Sequence, residues 1–256
     1  IVEPVSTTLS NITVTGLTLE NGEEYYFNVR AENNYAYGFG WSIWQSSVNP
    51  VRIDIQAPTN GSISYQAGPL TAGSVTVTYS SGNDSLSGIK NIELRKYETS
   101  MDQQAQCGSY GSSSLTTNLT ATGLNTNTYT VSNLEDGKCY KFELWVYDNA
   151  GNKKTYTNGN QAYNLVVDTS APSTVSITTQ PSITTVRDLT FIWTASQDLD
   201  SGINNYEYSV GTSVGQANIF DWTNTTSLTA TLQNLNLTHE GVYYFSVRAY
   251  NNLEIP

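Results

Sequence analysis

The chain has 256 residues, of which only 13% are charged, and a formal net charge of −11. An acidic surface repels phosphate backbones and anionic headgroups, which argues against nucleic acid and membrane surfaces as partners. No apolar run approaches the ~18 residues of a membrane span, and abundant Ser, Thr, Asn and Tyr beside scarce Lys and Arg suit a β-rich extracellular protein.

In chain order, the first patterned stretch is "LENGEEYYFNVRAEN" (19–33). It shows a Leu, a turn, a Tyr six residues on, then alternating apolar residues, the period-2 signature of a half-buried strand. Trp41 and Trp44 follow, three apart. A Pro-marked linker, "VRIDIQAPT" (51–59), leads to a strand through Val75, Val77 and Tyr79. "NDSLSGIKNIEL" (83–94) reads as an Asp/Ser/Gly turn and another alternating strand. After a variable middle containing Cys107 and the flexible-looking "GSYGSSS" (108–114), "LEDGKCYKFELWVYDN" (134–149) repeats the Leu-turn-Tyr strand. The linker returns as "LVVDTSAPS" (165–173), then Leu189, Phe191 and Trp193, then "QDLDSGINNYEY" (197–208), then "LTHEGVYYFSVRAYN" (237–251).

The repeats are in register. Leu19, Tyr25, Phe27, Val29, Arg30, Ala31 and Asn33 recur as Leu237, Tyr243, Phe245, Val247, Arg248, Ala249 and Asn251, at a constant offset of 218. A second offset, 114, aligns Asp54 with Asp168, Pro58 with Pro172, Asp84 with Asp198, Gly88 with Gly202 and Ile89 with Ile203. One offset holding over that span implies a repeated module of roughly 100–115 residues. Seven or so short strands per module, with turns every 8–12 residues, predict a β-sandwich.

This order resembles fibronectin type III domains and the related Ig-like repeats of large prokaryotic cell-surface or secreted proteins. Trp193 and Tyr79 stand where those domains carry a core aromatic residue, and the Leu-to-Tyr spacing resembles their tyrosine corner. The resemblance implies an all-β protein of tandem fibronectin III/Ig-like β-sandwich modules, beads on a string. Residues 1–54 are read as the C-terminal part of one module, 55–168 as a complete module, and 169–256 as a module lacking its last strand. The chain starts at Ile1 and reads as a piece of something longer.

Trp41-Ser42-Ile43-Trp44-Gln45 falls one residue short of the Trp-Ser-x-Trp-Ser box of cytokine receptors, with Gln45 in place of the final Ser. The expected job is structural. Arg30 stacks on the indoles and pins the last strand to its neighbour, for about 0.5–2 kcal/mol. A sugar-stacking platform is the other use two exposed tryptophans allow.

Reactive chemistry is sparse. The one histidine, His239, sits in a turn, and no phosphate loop, zinc spacing or nucleophile motif stands in the sequence, so no catalytic residue and no enzyme activity are expected. No organic cofactor is implied. Calcium is the one ion to weigh: the sandwich gathers Asp54, Asp84 and Asp148 at one end of the middle module, and Asp168, Asp198 and Asp200 at the same end of the next. The competing explanation is that Asp and Asn occupy turns because their side chains hydrogen-bond nearby amides. Cys107 and Cys139 are the only cysteines, and an even count in such a chain suggests a disulfide, with two buried thiols as the alternative. Asn-x-Ser/Thr sequons occur at Asn11, Asn60, Asn83, Asn118, Asn224 and Asn236, about the number expected by chance. Asn118 and Asn224 look the most loop-like.

These features predict a structural extracellular or cell-surface repeat protein, a segment of a filament, stalk or adhesin. Its expected partners are copies of itself or further modules of the same chain, with surface glycans or proteins as further candidates. A carbohydrate- or protein-binding accessory region of a larger secreted enzyme is the alternative.

Overall fold

A computed structural model describes residues 7–8, 11–32, 40–66, 68–159, 164–181 and 188–256. Among them every regular element is a strand. No helix among them is long and apolar enough to cross a membrane. Asn33, one of the repeat-register residues, lies outside the described residues.

The first stretch contributes four two-residue strands: β1 (Glu24–Tyr25), β2 (Asn28–Val29), β3 (Gln45–Ser46) and β4 (Val51–Arg52). β1 pairs with β4 and β2 with β3, both antiparallel. No opposing sheet covers this face among the described residues, and Phe27 and Val29 are 56% and 66% exposed.

The middle stretch forms a sandwich. β5 (Ser62–Tyr65), β7 (Ser74–Ser80) and β10 (Asn127–Ser132) make one antiparallel sheet with β7 central; β6 (Gly68–Leu70) leaves it for the other sheet. That second sheet runs from β6 through β13 (Leu165–Val167), β11 (Lys138–Asp148) and β8 (Ile89–Ser100) to β9 (Ser114–Asn118), and β12 (Lys153–Thr157) pairs further along β11. Alternation decides which side chains meet between the sheets. Ile63, Val75, Val77, Tyr79 and Val131 of the first face Ile92, Leu94, Tyr140, Phe142, Leu144 and Val146 of the second, all buried in one cluster.

The last stretch repeats the plan. β14 (Ile177–Thr179), β15 (Leu189–Trp193) and β18 (Thr229–Leu232) form one sheet with β15 central. β16 (Ile203–Gly211), β17 (Phe220–Thr225) and β19 (Tyr244–Asn251) form the other with β16 central. Its core is aromatic: Trp193, 2% exposed, meets Tyr206 edge-on with centroids 6.1 Å apart, and Phe191 stacks on Phe245 at 4.0 Å. The fold is therefore all-β, built from β-sandwich modules.

The three Leu-turn-Tyr segments make the same contact. The hydroxyls of Tyr25, Tyr140 and Tyr243 accept hydrogen bonds from the amides of Glu20, Glu135 and Thr238, at 3.0, 2.9 and 2.7 Å. Each satisfies an N–H that the turn leaves without a ladder partner.

Candidate functional site at the module junction

The loops that close one end of a sandwich carry the acidic residues. Asp54 precedes the first strand of the middle module, Asp84 follows β7 and Asp148 ends β11. One carboxylate oxygen from each lies within 4.8 Å of the others. Local turn chemistry engages all three. Asp84 Oδ1 accepts the amides of Leu86, Ser87 and Gly88 at 3.1, 2.8 and 3.0 Å. Burial pushes its pKa up, but those amides together outweigh burial and hold it below the usual carboxylate range. Asp148, fully buried, accepts both the backbone and side-chain N–H of Asn152 at 2.8 Å. Asp54 Oδ1 accepts the Gln56 amide at 3.0 Å, while its Oδ2 is buried without a partner.

The next junction departs from the repeat. Asp198, aligned with Asp84, again caps its turn, accepting the amides of Asp200, Ser201 and Gly202 at 3.1, 2.8 and 3.1 Å. The position of Asp148 is taken by Asn251, and the amide changes the chemistry. Asn251 Nδ2 donates to Asp168 Oδ2 at 3.0 Å and Asp198 Oδ2 at 3.2 Å, tying two buried carboxylates together. The oxygens that gather within 4.8 Å of one another here are those of Asp136, Asp168 and Asp200, with Asp198 joined to Asp168 through Asn251. Asp136 comes from the β10–β11 turn of the preceding sandwich. It accepts the Thr169 amide at 2.6 Å and the Ser170 hydroxyl.

Two more contacts cross this junction. Gly202, at φ +75°, packs against the Gln103 carbonyl with no room for a Cβ. The same carbonyl accepts Asn252 Nδ2 at 3.2 Å. Gln103 belongs to the longer middle segment, in a turn where Asp102 Oδ1 accepts the amides of Gln104 and Gln106. The disulfide between Cys107 and Cys139, Cα–Cα 5.7 Å, fastens that turn to β11.

The tryptophan pair also has a defined arrangement. The Arg30 guanidinium lies 4.1 Å from the Trp41 ring and 4.4 Å from Trp44. Ser42 and Ala31 exchange two hydrogen bonds of 2.8 Å, Ser42 Oγ accepting the Ala31 amide and the Ser42 amide donating to the Ala31 carbonyl. The sequence shows no partner box for Arg248, yet Trp222 of β17 takes its guanidinium at 4.3 Å. In the middle module Arg95 and Lys153 lie over Trp145 at 4.6 and 3.7 Å. Every tryptophan except the core Trp193 carries a cation.

All six sequon asparagines are exposed. Asn118 and Asn224, which look loop-like in sequence, lie on strands, paired with Glu93 and Glu207. The His239 side chain is 95% exposed.

No family model matches this sequence, and no curated protein matches it. Among solved structures, the crystal structure of chicken CNTN1 FN1–FN3 domains is similar over 90% of this chain and 73% of that chain, at 12% identity and a TM-score of 0.33.

Proposed function

We propose that this chain is a segment of an extracellular surface filament, stalk or adhesin, acting through module–module or subunit–subunit contacts. The observation that carries the reading is the joint between the two sandwiches. Three separate pieces of the middle module, the Gln103 turn, the Asp136–Gly137 turn and the Asp168 linker, touch the next module's Asn252, Gly202, Asp200 and Asn251. A free linker would allow relative motion; a joint tied from three sides favours a set orientation, which a spacer needs. The disulfide suits an oxidising compartment, consistent with an extracellular setting. The partners proposed are further modules of the same chain or copies of it.

Electron microscopy of the native material is the test. Ordered filaments with an axial repeat of two or three module lengths are expected, and isolated flexible strings would overturn the filament reading. Trp41 and Trp44 remain 46% and 47% exposed, which favours the second reading, a carbohydrate- or protein-binding accessory region. A glycan-binding screen in which Trp41→Ala abolishes retention would select it.

A further inference from the structure

The acidic group at the joint between the two sandwiches has a feature that turn chemistry does not explain. Asp84 and Asp198 each accept three amides, so their presence needs no ligand. Asp200 is different. Its amide donates to Asp198, but its carboxylate accepts no hydrogen bond from the described residues, and it rests against the Cα of Gly137 in the preceding module. Asp168 beside it is fully buried, its Oδ1 accepting the Ser170 amide and its Oδ2 accepting Asn251 Nδ2, both at 3.0 Å, and Asp136 completes the group. The ion pairs among the described residues are Arg95–Glu93, Lys96–Glu98, His239–Glu240 and Arg248–Glu207, none of which reaches this joint. Buried carboxylates are ordinarily paired with a cation or coordinate one.

A second observation comes from outside the acidic group. Ser201 is fully buried, and its Oγ has no partner at hydrogen-bond distance. That hydroxyl lies beside the Asp168 carboxylate, further off than a hydrogen bond. A buried hydroxyl without a partner, beside carboxylates that none of the ion pairs among the described residues reaches, adds a hard oxygen to the group.

We infer that a divalent cation, of which calcium fits best, binds between the two modules through Asp136, Asp168 and Asp200, with the Ser201 hydroxyl beside it. The donors are all hard oxygens, and their oxygens lie within 4.8 Å of one another. Oxygens on opposite sides of a calcium ion stand about 4.8 Å apart, twice a bond of roughly 2.4 Å, and calcium tolerates an irregular shell completed by water. Magnesium demands a tighter octahedron. The ligands come from both sides of the joint, so the ion would fix the angle between sandwiches as well as add stability. The site stands on the joint's geometry and not on the filament reading.

The test uses the whole chain, stripped with EDTA and titrated with calcium chloride by calorimetry, with terbium luminescence as a second readout. Asp136→Asn and Asp200→Asn are the main variants, because neither residue lies in a core. Asp54→Asn reports on the other acidic group. Asp200→Asn, whose carboxylate accepts no hydrogen bond from the described residues, should melt in EDTA as the parent does. Calcium binding that weakens about tenfold or more in both junction variants, with Asp54→Asn unchanged, is the expected result. Small-angle scattering of the parent should then show less interdomain spread with calcium than with EDTA. Absence of binding up to about 10 mM calcium, beyond the range of weak extracellular sites, would overturn the inference. So would binding that both junction substitutions leave unchanged. Should Asp200→Asn fail to fold, Asp136→Asn and Ser201→Ala decide the same question.

Discussion

The Asp200 carboxylate occupies the space that a Cβ on Gly137 would need. The two residues belong to successive sandwiches, so a backbone turn in one is shaped to receive a side chain of the other. Gly137 is also at φ +68°, where an L side chain is strained, and its amide donates to the Val167 carbonyl at 2.9 Å. Gly137→Ala therefore carries two penalties: left-handed strain of about 1 kcal/mol and displacement of Asp200. Urea unfolding should show a loss of roughly 1–3 kcal/mol. In an Asp200→Ala background the collision is gone, and only the strain should remain. Equal costs in the two backgrounds would mean that the contact does not couple the modules.

The disulfide closes a separation of 32 residues. In the chain-entropy relation such a loop is worth about 3–4 kcal/mol. Replacing both cysteines by Ala should lower the middle module's stability by that order, measured by denaturant midpoint with and without reductant. It should also release the Gln103 turn that holds Asn252. Amide hydrogen exchange at Gly202 and Asn252, whose N–H groups lie at this joint, should then rise although neither cysteine is in that module.

The tyrosine corners offer a graded comparison. Tyr140 is 1% exposed and its hydroxyl accepts the Glu135 amide at 2.9 Å. Tyr140→Phe leaves that N–H unpaired beside a filled core, a loss of about 1–2 kcal/mol. Tyr25→Phe removes the same bond in a segment whose neighbours are exposed, so water can replace the hydroxyl and the change should be smaller. Equal costs would show that the corner bond itself, and not its burial, sets the effect.

Much of this architecture can be read from residue spacing, and the limits are physical. β7, β11 and β15 are legible because alternate residues are buried: Val75, Val77 and Tyr79; Phe142, Leu144 and Val146; Leu189, Phe191 and Trp193. The corners are legible because Leu and Tyr keep their distance in all three copies. The parallel pairing of Gly68–Leu70 with Leu165–Val167 is not, since three residues including Pro69 carry no periodic signal and the partner lies far along the chain. Repeat alignment brings Asp54 to Asp168 and Asp84 to Asp198, but it cannot point to Asp136, which enters the junction from the module before. Nor does it reveal that Asn251, in place of an acid, would bridge Asp168 and Asp198 by donating. Trp222 escapes notice as the partner of Arg248 because the two lie on strands separated by β16.

That last cluster supplies a final prediction. Arg248 bonds Glu207 Oε2 through Nε at 3.0 Å and Nη2 at 2.7 Å, and its guanidinium lies over Trp222 at 4.3 Å and Tyr250 at 5.2 Å. The arginine thus spans β19, β16 and β17 on the outer face of one sheet. A lysine can keep the charge but not the forked contact to Glu207 while lying flat over an indole. Its side chain is 45% exposed, so solvent screening limits the ion pair to a fraction of a kcal/mol, and the stacking adds about 0.5–1 kcal/mol. Arg248→Ala should therefore cost about 1 kcal/mol in unfolding, with Arg248→Lys recovering less than half. Trp222 fluorescence, read as the difference between the protein and its Trp222→Phe counterpart, should shift when the cation is removed. An unchanged spectrum with unchanged stability would mean that the stack is a surface coincidence, and that the same reading of Arg30 between Trp41 and Trp44 must be given up with it.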